Sequence, residues 1–328
     1  MEFHRLLPNA GFRRTVHRSL LRRPPGPLTV STTGMSDNTA AVLFARYLSP
    51  SDLASHGLSP HRIRRLVQSG ALIRLRNGRY VGPDCLPALA AAARAGGRLD
   101  CVSLLTALGI FVRERHGPLH VQIDADSSRL PAPDAAIRRH WRHTACDRTR
   151  LAADIIEALA QACRCQAPRD AIATLDSAWH LGFVDEAGVA AVFARLPRRY
   201  RVLRALLDRR AEAGSESLVR LMVRALGCTV ELQVDIQSVG RVDLLVDGWL
   251  IVECDSRAHH GSWEDRRRDT RRDLAAAALG YTTVRPIAED VFDRPEVVFE
   301  MLRRTLDQRH ATTPPSRRSS RLRGRLSS

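Results

Sequence analysis

Apolar side chains at Ile63, Leu66 and Val67 recur at i, i+3 and i+4, which predicts one buried helical stripe. Ser59-Pro60 supplies an N-cap and a first-turn proline for that helix, and Gly70 follows Ser69 as its stop. A shorter helix is predicted over residues 51–57, closed by Gly57. Apolar and polar residues then alternate over 72–76 and 79–81 around Asn77-Gly78, a hairpin signal. Further on, alanine-rich helical patterns cover 86–93 and 151–162, and residues 119–123 alternate at period two as a strand does. Residues 213–309 read helix, strand, strand, strand, helix, strand, helix, and no repeat at a fixed period is present. The fold class expected is α+β and multidomain. A winged helix-turn-helix over 38–84 precedes a mixed α/β middle domain over 85–212. An αβ domain over 213–309 follows, flanked by a basic arm at 1–37 and a basic tail at 310–328.

Charge changes this picture only at the ends. The chain of 328 residues has a formal net charge of +16 and contains no lysine, so its 51 basic residues are all arginines. Residues 1–35 hold six arginines against one glutamate, and residues 310–328 hold five arginines and no acid. Both tails, with Arg22-Arg23-Pro24-Pro25-Gly26-Pro27 in one and Thr312-Thr313-Pro314-Pro315 in the other, are expected to be disordered. Met35 is an alternative start to Met1. A basic balance favours a polyanionic partner, but most of it lies outside the segments that fold. No apolar run reaches the ~18 residues that cross a bilayer. The seven cysteines are odd in number and form no C-x2-C pair, which points to reduced, buried thiols and a cytoplasmic location. Cys163 and Cys165 could open a metal site, but no matching second pair follows.

On the predicted second helix the exposed positions are His61, Arg62, Arg64, Arg65 and Gln68, where a recognition helix presents its reading face. In a regular two-residue hairpin Arg76 faces Arg79 and Arg74 lies on the same side. Three like charges repel unless a phosphate backbone neutralises them. A solvated basic face is the alternative. Two helices followed by a basic hairpin look like a winged helix, and the segment resembles the N-terminal domain of AbiEi-type antitoxins, which are transcriptional autorepressors. That resemblance implies double-stranded DNA as a partner and Arg62, Arg64, Arg65, Arg74, Arg76 and Arg79 as the residues that touch it. A cognate toxin and a second copy of the chain are further candidate partners. The middle segment resembles the corresponding region of antitoxin-like proteins, which implies a support role. Within it, His140-Trp141-Arg142-His143 is either a DNA contact or a solvated cluster.

The C-terminal segment carries acids where burial would otherwise be expected. Residues 240–246 and 249–255 are two apolar strands around Asp247-Gly248. Alternation puts Glu253 and Asp255 on one face. A two-residue loop would set Asp243 opposite Val252, on the wrong face, whereas a three-residue loop pairs Val246 with Leu250 and sets Asp243 opposite Glu253. The three-residue loop is expected. Carboxylates so placed repel each other, and a hard divalent ion resolves the repulsion. Upstream, Glu216 falls in the first turn of an amphipathic helix, where interaction with the helix dipole is a sufficient alternative role. Downstream, either four of the five arginines between Asp265 and Asp273 line a phosphate track, or the alternating signs there form a salt-bridged solvated face.

Asp243, Val252-Glu253-Cys254-Asp255, His259-His260 and Gly280-Tyr281 together resemble the PD-(D/E)XK nuclease fold, more narrowly the relatives of very-short-patch-repair endonucleases. The resemblance implies a DNA endonuclease with Mg2+ or Mn2+ held by Asp243, Glu253 and the Cys254 carbonyl, and Glu216 at the fold's acidic helix position. Asp255 stands where the general motif has lysine, and the resemblance makes His260 the candidate base or phosphate ligand. The competing expectation is a non-enzymatic regulator of antitoxin type that keeps the nuclease fold without its chemistry.

Overall fold

The computed structural model describes residues 37–254 and 263–312 of the chain. It contains two compact units, Met1–Leu207 and Asp208–Ser328. Asp255, His259 and His260, together with most of both basic tails, lie outside the described residues. No helix among the described residues is long and apolar enough to cross a membrane.

The first unit opens with α1 (Asp37–Leu43), α2 (Pro50–Ser55) and α3 (Pro60–Gln68), followed by the hairpin β1 (Ile73–Arg76) and β2 (Arg79–Val81). Ser49 caps α2 through a reciprocal box: its hydroxyl accepts from the Asp52 N–H, and the Asp52 carboxylate accepts from the Ser49 N–H. Ser59 caps α3 in the same sense, accepting from the Arg62 N–H. Leu53, Ile63 and Leu72 form the core of this module, with Leu48, Leu58, Leu66, Val67 and Tyr80 packed around it. Leu48 also exchanges both backbone hydrogen bonds with Tyr80, which adds a third short segment to the wing. Leu53 is 2% exposed at the centre of so small a cluster. Leu53→Ala is therefore expected to cost about 2–4 kcal/mol in chemical denaturation, while Arg62→Ala, on the exposed face, changes stability by less than about 0.5 kcal/mol.

The hairpin departs from the regular register. Ile73 pairs with Val81 and Arg76 with Arg79, but Arg74 pairs with Tyr80, so Leu75 is a bulged residue. Leu75 is buried, and the extra residue lets it reach the core while Arg74 turns to the face opposite the Arg76–Arg79 pair. The single row of three arginines expected from strict alternation is not formed.

The rest of the unit runs through α4 (Pro87–Arg94), β3 (Arg98–Leu99), α5 (Cys101–Ala107), β4 (Leu119–Asp124), β5 (Ile137–Arg142), α6 (Ile155–Cys165), α7 (Pro168–His180), α8 (Glu186–Ala194) and α9 (Arg201–Arg204). β3 and β4 are antiparallel and β4 and β5 parallel. Gly97 is required beside this sheet, because a Cβ there would stand 2.1 Å from the Gln122 carbonyl oxygen. His140 and Arg142 of the HWRH run do not form an outward patch. Arg142 makes a bidentate pair with Asp100 and a further bond to Glu157, and His140 faces His120, leaving Trp141 as the large exposed side chain of the run.

The second unit orders α10 (Gly214–Ala225), β6 (Val230–Ile236), β7 (Gly240–Val246), β8 (Leu250–Val252), α11 (Trp263–Ala278), β9 (Thr282–Val284), α12 (Ala288–Asp293) and α13 (Pro295–Thr312). The sheet order is β6-β7-β8-β9, with β8 and β9 parallel and the other pairs antiparallel. Val246 pairs with Leu250, so Asp247, Gly248 and Trp249 make the three-residue loop, with Asp247 and Gly248 both at positive φ. α10 is not amphipathic in place: every residue from Gly214 to Val223 is buried, Arg220 included. The short helix α12 was not expected from the sequence. It buries Val291, which its brief apolar pattern does not reveal.

Candidate functional site

Two sets of residues carry the candidate chemistry, one in each unit. In the first unit, α3 presents Arg62, Arg64 and Arg65 to solvent on the side away from Ile63. None of the three forms an ion pair with an acid among the described residues, so each charge is available to an external anion. The wing arginines are held more closely. Arg74 Nη2 donates to Asn77 Oδ1 at 2.5 Å, Arg76 Nη2 to the Arg129 carbonyl at 2.9 Å, and the Arg79 guanidinium lies 4.8 Å over the Tyr47 ring. These partners are neutral. They position the arginines without cancelling their charge, which is how a phosphate-contacting surface is pre-ordered.

In the second unit Asp243, Glu253 and Glu216 lie on neighbouring elements. β7 carries Asp243 and the end of β8 carries Glu253, while the first turn of α10 brings Glu216 in from the side. The Cys254 N–H donates to Asp243 Oδ2 at 3.0 Å, which sets the backbone of Cys254 beside that carboxylate. Burial first, and then the Asp243 charge, push the Glu216 carboxyl up to about 8. Asp243 is also raised, by burial and by the nearby Glu253. The Cys254 thiol is pushed far up by burial, with Asp243, Glu216 and Glu253 adding to it. Glu216 and Asp243, and Asp243 and Glu253, are thus near enough to feel each other's charge.

Three further residues contact these acids: Gln233 and Arg285, to which no motif pointed, and Arg272, one of the five arginines between Asp265 and Asp273. Gln233 on β6 lies directly across from Asp243, between the pairs Leu232–Leu244 and Val234–Val242. Its amide donates to Glu216 Oε2 at 2.9 Å, and its backbone is at φ +56°, a strained value for a residue within a strand. Arg272 Nη2 donates to Glu253 Oε1 at 2.8 Å, and Arg285 Nε donates to Glu253 Oε2 at 3.0 Å. Arg285 is itself paired with Asp273, so the two arginines and two acids form a chain. Arg272 also donates to the Val239 and Arg241 carbonyls, which removes it from any phosphate track along α11. Arg268 pairs with Asp265, leaving Arg266, Arg267 and Arg271 exposed.

This donor set does not suit a divalent ion as it stands. Mg2+ needs anionic oxygens with open lone pairs and room for water. Both oxygens of Glu253 accept charge-assisted bonds from guanidinium groups, and Glu216 favours its neutral form at pH 7 while its Oε2 accepts from both Gln233 and the Glu212 N–H. Part of the like-charge repulsion for which a metal is expected is offset here by the two arginines on Glu253. Asp255 and His260, the remaining expected members, lie outside the described residues.

The N-terminal module defines a class by its geometry: a helix-turn-helix with an exposed basic second helix and a short wing. Residues 43–81 of the chain match the family model of the AbiEi antitoxin transcriptional regulators. This span runs from the end of α1 through β2, and it supports a DNA-binding regulator. No curated protein matches the chain.

Proposed function

We propose that the chain is a DNA-binding transcriptional regulator of the antitoxin type. Its α3 enters the major groove and its wing rests on the phosphate backbone. The observation that carries this reading is the exposed trio Arg62, Arg64 and Arg65, without acidic partners, on the second helix of the module that matches the AbiEi regulators. Double-stranded DNA is the partner, and a cognate toxin is the further partner that this type of regulator implies. The C-terminal acids act in this reading as a buried, arginine-compensated framework.

A second reading, a Mg2+- or Mn2+-dependent DNA endonuclease, is favoured by the Cys254 N–H on the Asp243 carboxylate beside Glu253 and by the mutual electrostatic influence of Asp243 and Glu216. Under it, Arg272 and Arg285 must release Glu253 before an ion is held. The two readings separate in one experiment. Purified chain incubated with supercoiled plasmid or mismatched duplex and either metal is expected to leave the DNA intact, with wild type and Asp243→Asn indistinguishable. Metal-dependent nicking by wild type that Asp243→Asn abolishes would replace the regulator reading of the second unit by the enzymatic one. Electrophoretic shift of duplex DNA by the same preparation, disappearing as salt rises, tests the first unit independently.

A further inference from the structure

Four side chains that no motif connects meet inside the first unit. Cys101 opens α5, His120 lies on β4, His140 on β5, and Cys165 ends α6. One ligand atom from each falls within 4.8 Å of every other. His120 Nδ1 and His140 Nε2 are 3.0 Å apart, and the Cys165 sulfur is 3.9 Å from His140 Nε2. We propose that these four residues form a closed Cys2His2 site for a structural Zn2+ ion, a role beyond DNA binding.

The geometry supports this directly. Zinc bonds of about 2.3 Å to sulfur and about 2.0 Å to nitrogen place tetrahedral ligands roughly 3.3–3.8 Å apart; here the ring nitrogens are 3.0 Å apart, the Cys165 sulfur is 3.9 Å from His140 Nε2, and no pair exceeds 4.8 Å. Two imidazole lone pairs that face each other at 3.0 Å repel unless a proton or a cation sits between them, and two sulfurs beside them favour the cation. Thiolate and imidazole together select a borderline-soft ion over Mg2+ or Ca2+. Two thiolates also match the ion's charge, which a buried site requires.

The surroundings hold the ligands in place. Cys101 sits at φ +52°, a costly backbone state for a residue with a Cβ, and it follows Asp100, whose carboxylate is locked by both terminal nitrogens of Arg142. Gln161, one turn before Cys165 on α6, donates to the Cys165 sulfur at 3.4 Å. The Ser103 hydroxyl accepts from the His120 N–H at 2.9 Å and fixes the strand. Such outer contacts orient metal ligands and are part of a working site. A cleft lined by Ser103, His120, Cys165, Arg113 and Asp170 provides an entry path. With four protein ligands no open position remains for substrate, so the ion is structural. It ties α5 and α6 to β4 and β5.

The test uses the full chain. Expressed with Zn2+, purified and dialysed against metal-free reducing buffer, it is expected to retain about one zinc per chain by mass-spectrometric metal analysis. Replacement by Co2+ is expected to give the visible bands of a tetrahedral ion and near-ultraviolet thiolate charge transfer. Stripping the metal with a strong chelator is expected to lower Tm by about 10 °C. Cys165→Ser or His140→Ala is expected to lose the zinc, and Cys85→Ser to keep it. If those variants do not fold, the wild-type stoichiometry and cobalt spectrum still decide. Wild type that binds neither ion on reconstitution overturns the proposal. So does a Cys101–Cys165 disulfide in freshly purified protein, or full zinc retention by folded Cys165→Ser.

Discussion

Replacing Arg62, Arg64 and Arg65 together by alanine is expected to lower affinity for duplex DNA about 100- to 1,000-fold near physiological salt, without unfolding the protein. Each of the three is exposed on α3 and lacks an acidic partner among the described residues, so its charge is uncompensated in the free protein. A charge-assisted bond to phosphate or a base edge contributes on the order of 1–1.5 kcal/mol per arginine, and three of them give roughly 3–4 kcal/mol. Counterion release sets a second, independent signature: the slope of log K against log salt should become shallower by about 0.9 for each phosphate that the variant no longer neutralises. The single variants should divide by role. If α3 is the reading helix, Arg62 in its first turn is the arginine expected to reach base edges, and its removal should relax sequence preference. Removing an arginine that touches only phosphate should instead weaken all sequences alike. Stability should stay within about 0.5 kcal/mol of wild type, since the α3 stripe that holds the module is Ile63, Leu66 and Val67. A triple variant that binds with unchanged affinity and salt slope would show that α3 is not the reading helix.

Glu216→Gln is expected to stabilise the chain at alkaline pH by about 3–5 kcal/mol and to leave it almost unchanged near pH 4. The folded chain keeps the Glu216 proton up to about pH 8, because burial and the Asp243 charge disfavour the anion. The unfolded chain releases that proton near 4.5, the ordinary glutamate value. Between these two values the native state binds the extra proton, so wild-type stability falls as pH rises across the window. Glutamine imitates the protonated acid without titrating. Its carbonyl can accept from Gln233 and the Glu212 N–H as Glu216 Oε2 does, and its amide can donate toward Asp243. Urea denaturation of both proteins at pH 5, 7 and 8.5 measures the gap, which should widen at each step. A gap that is constant with pH would mean that Glu216 is ionised in the folded protein and that Asp243 does not face it.

The compensation around Glu253 bears on the same region. A carboxylate gripped on both oxygens by Arg272 and Arg285 is already neutralised, and the strained Gln233 bridges the strand face to Glu216. The two guanidinium groups thus offset the Glu253 charge within the αβ unit itself.

Local signals in this chain were strong where the chemistry is local. Ser49 and Ser59 cap their helices through neighbours three residues away, Ile63, Leu66 and Val67 lie on one helical face, and Asp247-Gly248 accept positive φ. From such short-range preferences the helix-turn-helix, the hairpin and the convergence of Asp243 with Glu253 could all be read. The Leu75 bulge could not, because the burial of that leucine depends on what packs against the hairpin rather than on its own alternation. Nor could the guanidinium partners of Glu253, Arg272 on α11 and Arg285 just after β9, or the neutral partners that hold the wing arginines. The Cys101–His120–His140–Cys165 cluster is the extreme case. Its members sit on four elements at irregular spacing, so no one-dimensional pattern contains it, and only the packing of two helices with two parallel strands brings two sulfurs and two ring nitrogens together. Periodicity and capping act within a few residues, and those interactions the sequence determined. Pairings between distant charged or metal-binding groups depend on which surfaces are buried against each other, and those only the tertiary structure decided.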